Sequence, residues 1–337
     1  MSTKKIRNTN SKFILQNSIK KSTFNCDTLS GLHNSGSSCY LDSVLFCLFA
    51  IPNQFINDNI LFCNISKTTH KDSEFIKQVQ KILIEITKSI RITKNIKFCT
   101  KFSNLIEKFP LKGMPNFGKL GQQEAGEFLI YLLTIFNVNC KSRKKNENFA
   151  TNNINQFRKK ELIKTSTTFD KEGSILMFID SFQLLEKSKK ANLLYYFTKT
   201  IRDTGELSNE NRLCIIKHGI KSYFKRQITY SSLIDTPYLI FWLQRANPID
   251  NSVIKTEIVP TQKMTLESGR VLYLNAIILH IGTINSGHYI SYFRYNDKWY
   301  TYDDIGAEIN IIGNYFKMLQ QTPSVKTNGV LYFYCEK

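Results

Sequence analysis

Apolar positions recur at helical spacing in three stretches of the first 140 residues. Residues 41–50 (LDSVLFCLFA) predict a helix of about three turns. Residues 74–90 carry Phe75, Val79, Ile82, Leu83 and Ile86 on one face and predict an amphipathic helix. Residues 122–137 place Phe128, Leu129, Leu132, Leu133 and Phe136 at the spacing of a buried helical face. Residues 141–158 are rich in Lys and Asn and predict an exposed connector. The pattern then changes. Residues 169–185, 193–201 and 215–233 contain β-like runs broken by charged turns, and 239–243 is a continuous apolar strand. Residues 271–281, 288–295 and 298–302 read as strands between Gly- and Asn-bearing turns, 311–320 as a short helix and 330–335 as a closing strand. Helices precede an antiparallel sheet, so the expected class is α+β, with a cleft between a helical lobe and a sheet lobe. Residues 1–28 are basic and polar with little periodicity, and read as a flexible arm.

Composition narrows this picture without fixing it. Hydrophobic residues make up 42% and aromatics 12%, which is globular rather than disordered. No apolar run is long enough to span a bilayer, and the first twenty residues lack a secretory core, so a soluble intracellular protein is expected. The net charge of +19 has two readings: attraction to nucleic acid or an acidic surface, or solvated lysines of a Lys- and Asn-rich composition. The lysines are scattered, with the densest run at 141–145, which favours the second, so no nucleic-acid partner is expected. The eight cysteines, Cys26, Cys39, Cys47, Cys63, Cys99, Cys140, Cys214 and Cys335, include no C-x-x-C pair. Neither a paired-knuckle zinc site nor a secreted disulfide scaffold is expected, and no metal or other cofactor.

Two constellations carry candidate chemistry. Cys39 follows the small-residue loop 31–38 (GLHNSGSS) and opens an apolar helix. A helix start offers partial positive charge and unpaired N–H groups, which favour the nucleophilic thiolate. Asn34, five residues earlier, can donate to a developing oxyanion. A buried structural cysteine at a helix start fits the same segment, while Cys47, two turns on, reads as core. Of the five histidines, His33, His70, His218, His280 and His288, only His288 starts a strand whose hairpin return ends in acids, Asp303–Asp304. A carboxylate there can fix the imidazole's tautomer and orientation. A turn pair capping the next segment is the other reading of those acids. His280 reads as a structural or cleft-wall residue.

These residues resemble a known family. Residues 31–45 (GLHNSGSSCYLDSVL) resemble the cysteine box of the ubiquitin-specific proteases, and 275–304, with Gly287, His288 and Tyr289, their histidine box. Residues 121–129 (GQQEAGEFL), 238–245 (YLIFWLQR) and 329–334 (GVLYFY) are similar to three accessory segments, in the family's order. The resemblance implies a papain-like cysteine protease over residues 29–337, with a helical thumb, an antiparallel β palm and fingers. It implies hydrolysis of the bond after the C-terminal glycine of ubiquitin. In its terms Cys39 is the nucleophile, His288 the base, Asp303 the orienting acid, Asp304 an auxiliary acid and Asn34 the oxyanion donor. The ubiquitin tail, Leu-Arg-Leu-Arg-Gly-Gly, brings two cations, and Glu124 and Glu127 stand one helical turn apart to meet them. Gln122, Gly287 and Tyr289 join them as substrate-binding positions. The implied partners are ubiquitin and ubiquitinated proteins, with a monomer, no membrane, and the cytoplasm or nucleus as location, that of an infected host cell included. Rival readings are a silent ubiquitin-binding module, a protease for another ubiquitin-like modifier, and a basic nucleic-acid-binding protein sharing the fold.

Departures from the family pattern set further expectations. Ser38 replaces Thr, Asp42 replaces Asn, Glu124 replaces Asp and Ala246 replaces Phe. The charge on Asp42, three residues past the nucleophile, is expected to raise the Cys39 pKa and slow attack. Between 165 and 235 the family often carries two zinc-binding C-x-x-C pairs; here Cys214 stands alone, so reduced, zinc-free fingers are expected.

Overall fold

The helix Cys39–Phe49 forms because its apolar residues recur on every side, and all eleven residues are buried. This computed structural model describes residues 28–66, 72–93, 100–117, 123–151, 161–179, 181, 184, 190–192, 199–202, 215–218, 221–247, 250–266 and 268–337, with backbone alone in the strands of 140–174 and 190–235. The arm up to residue 27, His70, Gln122, Cys26, Cys99 and Cys214 lie outside the described residues. The chain divides into two units: Met1–Val138 with Asn275–Gln321, and Asn139–Leu274 with Thr322–Lys337.

In the first unit Phe46 of the buried helix stacks on Tyr302, with centroids 3.8 Å apart and rings 15° from parallel, and meets Phe293 edge-on at 5.3 Å. Burying each such ring is worth about 1.5–3 kcal/mol. The helix Ser73–Lys88 buries Phe75, Val79, Leu83 and Ile86, the face read from its spacing, and runs on as a π-helical turn, Ser89–Thr93. From that turn the buried Arg91 donates to the carbonyls of Phe49 (2.6 Å) and Ile51 (3.3 Å), which closes the otherwise unpaired end of the Cys39–Phe49 helix. The helix Ala125–Ile135 starts later than its pattern suggested, because Glu124 is extended (φ −87°, ψ 126°) and acts as N-cap.

The strands of this unit form an antiparallel meander. Val271–Gly282 pairs with Gly287–Tyr295 (Leu279 opposite Ile290), which pairs with Lys298–Asp303 (Phe293 opposite Tyr300), which pairs with Glu308–Gly313 (Tyr302 opposite Ile309). Asn296 and Asp297 both have positive φ, 47° and 60°, the requirement of a two-residue hairpin turn that matches strand twist. The helix expected over 311–320 is corrected: the strand extends to Gly313 and the helix is Tyr315–Gln321. Short apolar runs do not distinguish the two by periodicity alone.

The second unit holds a five-stranded sheet in the order Glu161–Ser174, Asn139–Thr151, Lys221–Asp235, Lys199–Arg202, with Ile215–His218 also on Lys221–Asp235. Its pairings are antiparallel. The connector expected over 141–158 is therefore a strand through Thr151. Within 165–235, the region expected to carry reduced fingers, the described residues include the 15-residue strand Lys221–Asp235 and the end of Glu161–Ser174. The expectation of a purely antiparallel palm is also corrected. Tyr238–Leu243 is antiparallel to Gly329–Cys335 but parallel to Leu176–Ile179, so the sheet is mixed. At the end of Tyr238–Leu243, buried Arg245 spreads its guanidinium over four carbonyls: Gly329 (2.7 Å), Ile254 (2.9 Å), Thr256 (3.0 Å) and Lys326 (2.9 Å).

Candidate active site

The loop before Cys39 is shaped by two left-handed residues, Gly36 (φ 94°) and Ser37 (φ 54°). Its own side chains hold that turn. Asn34 Oδ1 accepts from the Gly36 N–H (2.8 Å), and Ser38 Oγ accepts from the Ser35 N–H (2.8 Å) while donating to Asp42 Oδ2 (2.5 Å). The chain thus enters the helix at Cys39, its first residue, which is only 3% exposed.

The strand Gly287–Tyr295 outruns its partner. The ladder to Lys298–Asp303 ends at Ser291 opposite Tyr302, so the backbone beyond it is available to the helix. Tyr289 O accepts from Ser43 Oγ (3.3 Å) and Ser43 O accepts from Ser291 Oγ (3.4 Å), and the Tyr289 backbone N–H sits close enough to Cys39 to favour its thiolate. From the next strand, the Tyr302 hydroxyl donates to Leu32 O (2.9 Å) and accepts from Leu32 N–H (3.2 Å), and the Asn34 N–H donates to Asp304 O (3.0 Å). The glycine loop, the helix and the hairpin are thereby locked together within one unit.

His288 follows directly. Its Nε2 lies 2.8 Å from Asp303 Oδ1 and 3.5 Å from Asp304 Oδ1. Asp303 Oδ1 also accepts from the Ile305 N–H (3.0 Å), which fixes the carboxylate. Asp304 Oδ2 accepts from Asn34 Nδ2 (3.0 Å). With Nε2 held by Asp303, Nδ1 is the nitrogen left to serve the sulfur. Among the described residues no hydrogen bond joins the His288 ring to Cys39; such bonds commonly tighten only with substrate in place.

The electrostatics reverse one expectation. A helix start favours thiolate, yet the Cys39 thiol is pushed up from its ordinary value. Burial is the largest cause. The Tyr289 N–H opposes it, Asp304 adds to it, the Tyr40 N–H opposes again, and Asp42 adds a smaller upward push. Asp42 therefore acts in the expected direction, but burial and Asp304 outweigh it. Cys47, deep in the helix, is pushed up to about 12 by burial, as befits a core thiol.

Asp304 is pushed up to about 7, by burial first and by the neighbouring Asp42 next, with His288 pulling the other way. Folded Asp304 keeps its proton to higher pH than the unfolded chain does. The folded state thus binds more protons between 3.8 and about 7, and stability falls as pH rises across that window. Urea midpoints measured from pH 4 to pH 7 should decline, and Asp304→Asn should flatten that decline.

On the substrate side, the Tyr289 hydroxyl accepts from the Ala125 N–H (3.4 Å), tying the strand to the head of the Ala125–Ile135 helix. Burial raises the Tyr289 phenol, with Glu124 next and Glu127 a smaller contributor. Glu127 is half-buried and its own pKa is raised by desolvation. Gly287 makes room for His280: an added Cβ would collide with the His280 ring and the Ile281 carbonyl. The structure joins Asn34, His288, Asp303 and Asp304 through their side chains beside the loop that leads into Cys39, and sets the Tyr289 hydroxyl at the head of the helix that carries Glu127. Sequence reasoning missed Ser43 and Tyr302 as the residues that bind helix and loop to the hairpin. Tyr302 had a signal, since it alternates inward one residue before the paired acids.

The family model of ubiquitin carboxyl-terminal hydrolases matches residues 30–334. Compared by sequence with curated proteins, the chain matches none. Among solved structures it is similar to the SAGA Ubp8/Sgf11/Sus1/Sgf73 DUB module bound to ubiquitin aldehyde, at 18% identity and a TM-score of 0.55, over 94% of this chain and 72% of that one. That likeness is one of fold.

Proposed function

The chain belongs to the ubiquitin carboxyl-terminal hydrolase family, and from that premise we propose that Cys39, His288 and Asp303 are its catalytic triad, with Asn34 at the oxyanion. It is a deubiquitinating cysteine protease. The observation that supports the assignment is that the Cys39 helix is bonded through Ser43 to Tyr289 and Ser291, on the strand whose His288 ring is clamped to Asp303 at 2.8 Å.

The reaction uses these groups in sequence. The buried sulfur rests as a thiol, so attack on the carbonyl after the terminal glycine requires proton transfer to His288 Nδ1 as the bond forms. Asp303 keeps the ring's other nitrogen protonated and stabilises the imidazolium. Asn34 spends one amide hydrogen on Asp304 and has a second for the developing oxyanion. His288 returns its proton to the leaving amine, and water then releases the acyl-enzyme. Glu127, whose charged form burial disfavours, gains by pairing with the cationic ubiquitin tail, and Glu124, half-buried at the head of the same helix, offers a second carboxylate. The Ubp8 module is bound to ubiquitin aldehyde, and we read this chain as accepting the same ubiquitin C-terminus.

Turnover of a fluorogenic ubiquitin C-terminal amide tests the reading. Wild type releases the fluorophore and Cys39→Ala does not. Binding of ubiquitin without release at any pH between about 6 and 9 would point to a silent module. Release from another ubiquitin-like modifier alone would reassign the substrate.

A further inference from the structure

Asp42 stands where the family it belongs to usually carries Asn, and the substitution reaches across the site. Asp42 and Asp304 are both buried, at 0% and 1% exposure, both are anchored on the same loop, by Ser38 Oγ and Asn34 Nδ2, and Asp42 pushes the Asp304 pKa up. Two ionised carboxylates so close in a buried site repel, and each is an acceptor only; one proton between them removes both penalties. The remaining contacts agree. Asp304 Oδ2 is occupied by Asn34 Nδ2, and buried Asp304 Oδ1 receives no hydrogen bond, with His288 Nε2 3.5 Å away. Asp42 Oδ2 is occupied by Ser38 Oγ at 2.5 Å. The acid pair therefore connects the loop carrying Asn34 and Ser38, the helix carrying Cys39, and the hairpin carrying His288.

We propose that Asp42 and Asp304 share one proton, and that this acid pair is the positioning element that aims Asn34 and the His288 ring at the reacting sulfur. The positioning role rests on the protease reading above; the shared proton does not. The ionisable groups facing Asp304 are Asp42 from the helix, His288 from the neighbouring strand and Asp303 beside it, and Cys39 feels both acids. With one proton the pair carries a single charge. It then holds the Asn34 amide and leaves the sulfur facing one anion rather than two. Loss of that proton places two like charges in contact in a buried site, which drives the loop and the helix apart.

The first test uses the free protein without substrate. Aspartate-labelled wild type at pH 5 should give the infrared absorption of one buried protonated carboxyl, and Asp42→Asn should lose it, because an amide donates to an ionised Asp304. Absence of that signal in wild type would overturn the shared proton. The second test is kcat/KM against pH on the ubiquitin amide. Wild type should lose activity at the alkaline end as the pair's proton leaves, and Asp42→Asn should lack that limb. Asp42→Leu takes away the partner carboxyl of Asp304; kcat should fall about 10²-fold with KM little changed, and Asp42→Asn should recover most of it. A pH profile of Asp42→Asn that superimposes on wild type would overturn the positioning role. So would full kcat in Asp42→Leu. Should Asp42→Leu not fold, the carboxyl signal and the Asp42→Asn profile decide on their own. A wild type that never turns over ubiquitin would end the protease reading, while the carboxyl signal would still decide the proton.

Discussion

Replacing His288 by alanine will lower kcat/KM on ubiquitin C-terminal amides by about 10³-fold, or roughly 4 kcal/mol of transition-state stabilisation. The size follows from the state of the nucleophile. Burial, Asp304 and Asp42 hold Cys39 as a thiol, against two backbone amides that favour the thiolate. Without the imidazole, the groups nearest the sulfur are acids, one of which already holds a proton in the proposed pair. No group with matched proton affinity replaces the ring. The loss should fall on kcat with KM little altered, because the base acts only as the bond forms. Added imidazole should restore part of the rate, since the space vacated lies next to Asp303. A loss below about tenfold would mean that the sulfur is activated by something other than His288.

Replacing Arg245 by methionine will destabilise the fold by at least about 3 kcal/mol. Four carbonyls converge on this guanidinium at 2.7–3.0 Å. Methionine fills similar volume and supplies no donor, so several acceptors lose their partner in a buried place. Arg245→Lys should rescue little, because one ammonium cannot span the fork that a planar guanidinium matches. The readout is the urea midpoint at unchanged slope, on a chain whose ubiquitin turnover at low temperature is retained. A change under about 1 kcal/mol would mean that water replaces the guanidinium at these carbonyls.

Much of the first unit was legible because its elements announce themselves by period. The helix Cys39–Phe49 and the face of Ser73–Lys88 follow from apolar spacing, and the hairpin around Asn296 and Asp297 from turn chemistry. Cys39, His288 and Asp303 were legible because each stands at the end of such an element. Strand Asn139–Thr151 was not, since KSRKKNEN has neither apolar alternation nor β-branched residues; its pairing on both sides is made by backbone, which side-chain pattern does not report. The parallel placement of Leu176–Ile179 against Tyr238–Leu243 was hidden for a related reason, because a short apolar run carries no sign of its direction. Asp42 was seen as a charge near the sulfur. Its influence on Asp304 links residues far apart in sequence and exists only once helix and hairpin have met. Arg245 was visible as a family position, but the four carbonyls it serves come from two separate stretches of chain, 254–256 and 326–329.

The central claim is that Cys39 is the atom that attacks ubiquitin's C-terminus. Ubiquitin carrying a C-terminal electrophile, incubated with the protein and mapped by peptide mass spectrometry, addresses it directly. One ubiquitin should attach per chain, on the Cys39 sulfur, slowly in His288→Ala and not at all in Cys39→Ala. Attachment at Cys47 or Cys63, or undiminished attachment in Cys39→Ala, would contradict the account.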